Sequence, residues 1–231
     1  GFSQIEDEMA LRNLHRVSEI LTEEAQNLGS SAVSWSSWND TYEYVQKKNA
    51  KYEKENWETS AVFDSKYSQV VVFDLKGAVL YSKGYDWENE TFNEVDELQL
   101  NLLKEEVQIA SEKNGPVQTN GYFVGSGNRA FATSISPILT SAGKGPIRGW
   151  IVITKEMNES QRKKFSDILK LDMDLSVGSS EEWSDKITTE GYLLKGTTST
   201  QGLIAKPDIS GRKKIIARLF IPRTIYSQGR K

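Results

Sequence analysis

The chain has 231 residues, 37% of them hydrophobic and 26% charged, which suits one or two globular domains with a sizeable core. Six tryptophans, nine tyrosines and eight phenylalanines exclude a low-complexity or disordered tract, and 32 acids against 29 bases leave no broad basic field for nucleic acid. Cysteine is absent, which removes disulfides, thiolate metal sites and a cysteine nucleophile together and leaves the redox compartment open.

From Ser3 to about Val33 the residues Ala10, Leu14, Val17, Leu21, Ala25, Leu28, Ala32 and Trp35 recur every three or four positions, which predicts a long amphipathic helix. Gly29-Ser30-Ser31 weakens it locally and offers a place to bend. Trp35, Trp38, Tyr42 and Val45 then continue at helical spacing, so the stretch from 35 to 45 presents one buried aromatic face. Residues 49–58 are highly charged and read as a solvated turn or frayed helix, followed by a short helix or loop from Ser60 to Tyr67.

Val70 to Leu75 is a strand by its β-branched run, Lys76-Gly77 a turn, and Ala78 to Ser82 the returning strand. Tyr85 to Val95 has no clear period and reads as a loop. A helix from Leu98 through Ala110 ends at Asn114-Gly115-Pro116, where glycine and proline forbid continuation. Strands follow at Gly121–Val124, Arg129–Leu139 and Arg148–Thr154, joined by the turn Gly125-Ser126-Gly127-Asn128 and the loop 142–146. The order predicts an antiparallel sheet with helices on one side.

Asn158 or Ser160 caps a helix that runs to Leu169. Beyond it Leu171, Met173, Leu175 and Val177 alternate with polar residues, a half-buried strand, and further strands are expected at 186–195, 202–206 and 213–221 with Pro222 ending the last. The ending from Arg223 to Arg230 has a helical look. The organisation expected is therefore α+β: a long helix and aromatic helix over residues 1–58, a sheet domain over 59–170, a smaller mostly β subdomain over 171–222, and the start of a further helix over 223–231.

Catalytic signals are scarce. The single histidine, His15, falls on the solvated side of the first helix, away from any cleft that a triad would need. Gly125-Ser126-Gly127-Asn128-Arg129-Ala130 matches a dinucleotide fingerprint formally, but strand composition follows it where a helix is required, so a hairpin turn is favoured. Gly143-Lys144-Gly145-Pro146 lacks the phosphate-loop spacing. Asp172 and Asp174 point the same way from a strand whose other face is apolar, which makes them a solvated face. The sequons at Asn39, Asn89 and Asn158 are short patterns with a high chance rate. No metal site or cofactor is expected. What remains is a ligand pocket on a curved sheet, for which Tyr81, Trp87, Tyr122, Arg129 and Trp150 are the candidate lining residues. Arg129 is the most suggestive, since its guanidinium can fork onto a carboxylate.

Four motifs resemble a known family. They are Trp35 to Val45 (W-x-x-W-N-D-T-Y-x-Y-V), the hairpin from Val72 to Asp86, the run from Ile135 to Thr154, and Pro222 to Arg230, and together they are similar to the CHASE sensory domains of the fourth class. The resemblance implies a PAS-like or Cache-like sheet behind a long N-terminal helix. It implies the extracellular or periplasmic sensor region of a prokaryotic histidine kinase, diguanylate cyclase or phosphodiesterase, held between two membrane helices. It names no ligand, and it places any catalytic output in other domains. The chain starts without initiator methionine or signal peptide, and its longest apolar runs fall far short of the ~20 residues of a membrane span, so a segment excised from a longer protein is expected. Trp35, Trp38, Asp40 and Tyr42 then act chiefly as a structural latch between the long helix and the sheet. The partners expected are an unknown small molecule, a second copy through the N-terminal helix, and the membrane through flanking spans. The alternative is an interaction or dimerisation module that docks a periplasmic protein and binds no ligand.

Overall fold

A computed structural model describes residues 1–179 and 186–223. The predicted ending from 224 onward lies outside the described residues. The first helix, α1 (Phe2–Ser36), is continuous through Gly29-Ser30-Ser31. At Gly29 the helix passes close to the sheet domain: Gln118 donates to its carbonyl oxygen at 2.8 Å, and a β-carbon there would meet the Asn120 side-chain amide, which would have to move. The buried stripe of α1 is Ala10, Leu14, Val17, Leu21, Ala25, Leu28 and Ala32, the residues that the helical period selects.

The described residues fall into two compact units. The first comprises Glu24–Glu156. After the end of α1 come α2 (Asn39–Lys47), α3 (Ala50–Asn56) and α4 (Ser60–Asp64), then β1 (Gln69–Asp74), β2 (Val79–Asp86), β3 (Thr91–Asn93), α5 (Glu97–Asn114), β4 (Thr119–Val124), β5 (Ala130–Pro137) and β6 (Gly149–Glu156). The six strands form one antiparallel sheet in the order β3-β2-β1-β6-β5-β4. The segment from Tyr85 to Val95, a loop by sequence, continues β2 to Asp86 and adds the short edge strand β3, because Tyr85 and Phe92 pair across the ladder and their rings meet edge on at 5.8 Å.

Register decides which residues share a face. Tyr81, Val72, Ile151 and Ser136 lie in one row, and Gln69, Thr154 and Thr133 in a row on the opposite face. Helices cover both faces, which corrects the one-sided cover expected from sequence. On one face Gln118 bonds to α1; on the other Gln99 of α5 donates to Gln69, which also accepts from Thr154. The reason is visible in β1 and β6: Val70 to Phe73 and Trp150 to Ile153 are buried without alternation, so neither face of the central strands can meet water.

The second unit comprises Gly1–Glu23 and Met157–Lys231. It holds α6 (Glu159–Leu169), capped by the Asn158 side chain, and the antiparallel sheet β7-β10-β9-β8, with β7 Asp172–Ser179, β8 Tyr192–Lys195, β9 Ser199–Pro207 and β10 Lys213–Pro222. Of the strand expected over 186–195 only the last four residues form one. Leu14 of α1 lies against Gly191 and Gly202, where the lack of side chains lets the helix approach the sheet. Arg223 pairs with Glu6 through two nitrogens at 2.9 and 3.1 Å, tying the end of β10 to the start of α1.

Candidate functional site

Asn49 caps α3 by accepting from the Lys51 amide, and Lys48 turns the chain in the left-handed region between α2 and α3. The two short helices therefore fold back on each other and leave a groove of about 350 Å³, lined by Trp38, Asp40 and Tyr44 on one side and Asn49, Tyr52 and Asn56 on the other, with Glu43, Lys47, Lys51 and Glu55 on its rim. This volume lies in the range of small-molecule sites. Its floor is aromatic: Tyr44 and Tyr52 stack at 4.9 Å, and the half-buried Trp38 tilts toward Tyr52 at 5.9 Å.

Beneath the floor sits Trp57, fully buried, touching Tyr44, Tyr52 and Tyr81 at 5.0, 4.9 and 4.8 Å and meeting Trp35 of α1 at 6.4 Å. Rings thus run without a break from the groove to strand β2 and to α1. The hydroxyls are held in turn. Tyr44 donates to Glu53, and Tyr52 shares a hydrogen bond with Thr41. Burial pushes the Tyr44 hydroxyl well above the usual tyrosine range, and the Glu53 carboxylate that accepts its proton adds to this. Tyr52 is pushed up by burial and by the charge of Asp40, against the opposing effect of Thr41.

The residues expected to line a pocket are not brought together. Tyr81 is buried over the sheet in the ring chain, and its hydroxyl has no hydrogen-bond partner, nor do the Tyr85 hydroxyl and the Trp57 indole. The Tyr81 and Tyr85 hydroxyls are near enough to influence each other's ionisation without forming a bond of good geometry. Beside them Glu58 and Lys83 pair at 3.5 Å, partly exposed. Tyr122 shares the Tyr81 face but stands on the far strand β4, near Glu24, which pairs with Lys155 at 2.9 Å. Trp150 is on the opposite face, bordering a second groove of about 370 Å³ between the β1–β2 turn and α5. Arg129 is exposed and bridges Glu156 and Asp96 at 3.6 and 4.0 Å. Trp87 is half-exposed, with the Lys66 ammonium 4.4 Å from its ring centre.

The stretch from 35 to 45 makes a second set of contacts away from the groove. Asn39 and Ser141 exchange two hydrogen bonds at 2.8 and 2.9 Å, the Tyr42 hydroxyl donates to the Pro146 carbonyl at 2.5 Å, and Ser37 bridges to Leu139. Trp35 packs on Tyr67 at 5.8 Å and on Trp57, whereas Trp38 and Asp40 line the groove. His15 is exposed, and among the described residues no group of three or more His, Cys, Asp or Glu side chains can hold a metal ion. Among the same residues no helix is long and apolar enough to cross a membrane.

The CHASE4 domain family model matches residues 20–176, more than half of the chain, including all of α2, α3 and the six-stranded sheet. The chain belongs to the CHASE4 family. It is therefore a sensor domain of the signal-transduction class. This CHASE4 chain is 25% identical over 218 residues to the methanogenesis regulatory histidine kinase FilI of Methanothrix harundinacea (strain 6Ac), and it spans 90% of its own length but only about a quarter (24%) of that relative. Two solved structures share its fold at low identity. One is the extracellular domain of a protein assigned as a histidine kinase, with a TM-score of 0.62 and 10% identity over 99% of this chain and 96% of that one. The other is a domain of a sensory box/GGDEF family protein from Vibrio parahaemolyticus, with a TM-score of 0.63 and 12% identity over 95% of this chain and 97% of that one.

Tyr52, Glu53 and Trp57 of the CHASE4 domain escape a reading of the sequence, since 49–58 looks solvated. Tyr44 escapes because one helical face through Trp35, Trp38, Tyr42 and Val45 is expected, whereas the helix breaks between Ser36 and Asn39 and Tyr44 is buried while Trp35, Trp38 and Val45 are only half-buried. The signal that was available is the pair Tyr52 and Trp57, two large rings in a charged decapeptide whose one other apolar side chain is the methyl of Ala50.

Proposed function

We propose that this CHASE4 domain is the extracytoplasmic sensing region of a membrane-anchored receptor, and that the small molecule it senses binds in the α2–α3 groove. The observation that carries this is the unbroken ring contact from the groove floor to α1, Tyr52 to Trp57 to Trp35. A ligand that presses on Tyr44 and Tyr52 acts on Trp57, which is fully buried and in ring contact with Trp35 and Tyr81, so a shift of Trp57 is passed to both. Trp35 lies in the last turn of α1, so the ring chain acts directly on the end of that helix. A tenfold bias between two helix positions needs about 1.4 kcal/mol of differential ligand affinity. The kinase relative and the two structural neighbours support an output such as histidine kinase or diguanylate cyclase activity in a longer protein.

The test is a broad metabolite screen by thermal unfolding of the chain. Ligand at 100 times its Kd stabilises by about 2.7 kcal/mol, a rise of several degrees at this size. A binder whose effect disappears in Trp38→Ala supports the groove; a screen without any binder, or a binder indifferent to groove substitutions, overturns it. A docking module remains the second reading, favoured by Phe2, Ile5 and Met9, which form an exposed apolar stripe at the start of α1. Sedimentation at rising concentration tests self-association, which Ile5→Glu should abolish.

A further inference from the structure

We infer that the α2–α3 groove takes a small organic cation, an alkylammonium or quaternary ammonium group held over Trp38 and against Asp40. This rests on the reading of the groove as the sensing site and names the chemistry it selects.

Two features of the lining point to a cation, and a third is compatible with it. The first is charge. Asp40, Glu43 and Glu55 face Lys47 and Lys51, but the two lysines are taken by Glu43 and Glu55, each at 3.7 Å. Asp40 is left as a lining carboxylate without an ion pair among the described residues. Asp40 itself is exposed; directly behind the floor Glu53 is a half-buried carboxylate that, among the described residues, accepts from the Tyr44 hydroxyl. The lining carries three carboxylates against two ammoniums, and Glu53 behind it adds a fourth carboxylate, so a monovalent cation reduces the excess negative charge and an anion adds to it.

The second feature is the aromatic floor. Trp38 is half-buried and so keeps part of its ring open to the groove, backed by the Tyr44–Tyr52 stack. Indole faces attract cations more strongly than phenol or phenyl faces do. Elsewhere in this domain ring faces already hold cations: Lys66 lies over Trp87 at 4.4 Å and Arg148 over Tyr42 at 3.7 Å. Trp38 lines the groove together with the Asp40 carboxylate and has no cation of its own within the described contacts. The third feature is the rim. The amides of Asn49 and Asn56 supply neutral donors and acceptors, which suit a hydroxyl or carbonyl on the ligand and repel neither charge.

The experiment is isothermal titration of the 231-residue chain with choline and tetramethylammonium, and with 3,3-dimethylbutan-1-ol and trimethylacetate as neutral and anionic counterparts of the same shape. The expected result is binding of the cations at least about tenfold tighter than the neutral alcohol, with trimethylacetate silent. Asp40→Asn should weaken the cations about tenfold and leave the alcohol unchanged, with Asp40→Glu restoring most of the loss. Trp38→Ala should weaken them about three- to thirtyfold, and Trp38→Phe should fall between. Equal affinity for cation and alcohol overturns the inference, as does an Asp40→Asn variant that binds choline normally. If the cations fail but another class from the wider screen binds in a Trp38-dependent way, the chemistry named here is wrong and the sensing groove stands. If nothing binds, both fall.

Discussion

The guanidinium of Arg148 sits 3.7 Å from the centre of the Tyr42 ring and donates to the Tyr42 carbonyl oxygen at 2.9 Å. Tyr42 belongs to α2 and Arg148 leads into β6, so one side chain fastens the groove helix to the central strands of the sheet by charge, ring and backbone at once. Arg148→Ala should destabilise the chain by about 1–3 kcal/mol, the worth of one such ring contact with one charge-assisted hydrogen bond. Arg148→Lys should recover less than half, because an ammonium cannot lie flat on a ring and reach the carbonyl together. Urea unfolding with an unchanged m value measures both; a loss under about 0.5 kcal/mol for the alanine variant shows the fastening to be idle.

The two tryptophans on either side of the groove floor should behave differently. Trp57 is fully buried among four rings, and Trp57→Ala should cost about 3–5 kcal/mol, enough to threaten folding at 37 °C. Trp38 is half-buried, and Trp38→Ala should cost about 1 kcal/mol. Thermal melts of the pair decide the assignment: equal losses would mean that Trp38 belongs to the core and the groove is not free to receive a ligand.

Much of this fold is legible in the sequence, and what is not has a physical reason. The α1 stripe and the β1–β2 hairpin are written in local periodicity, which survives any tertiary arrangement. Strand register is not local. Tyr81 and Trp150 both read as pocket residues on one concave sheet, but the ladder places Tyr81 in the row of Ile151, so Trp150, one residue away, must face the other side. The groove is harder still. Residues 49–58 carry seven charges or amides for two rings, and only the stacking of Tyr52 on Tyr44 and the edge-on contact of both with Trp57 turn that segment into a floor.

The Tyr85 hydroxyl is buried without a hydrogen-bond partner, so it carries a desolvation cost that nothing offsets. Tyr85→Phe should therefore leave stability unchanged or raise it by about 1 kcal/mol. Tyr44→Phe is the contrast: it strips the half-buried Glu53 of its donor and should cost about 1–2 kcal/mol. Chemical denaturation of the two variants side by side reads the difference. A loss for Tyr85→Phe as large as that for Tyr44→Phe would show that the Tyr85 hydroxyl is satisfied in solution, by water or by Tyr81.

The buried tyrosines also set an alkaline limit to stability. Tyr44, Tyr52, Tyr81, Tyr85 and Tyr122 all have their hydroxyls pushed above the ordinary value, in each case first by burial, which disfavours the phenolate. The unfolded chain releases these protons near pH 10, whereas the folded chain keeps them. A group whose folded pKa is raised contributes stability that is fully present below the unfolded value and is lost as pH rises toward the folded one. Stability should therefore be flat with respect to these groups up to about pH 9 and fall above about pH 10, by about 1.4 kcal/mol per pH unit for each tyrosine that holds its proton. Urea midpoints between pH 8 and 11 measure the fall, and phenolate absorbance near 295 nm supplies the molecular check. These five rings are more than half of the nine tyrosines, so more than half of the absorbance change should appear together with unfolding; a gradual rise in the folded chain that accounts for all nine would show that water already reaches the ring chain beneath the groove.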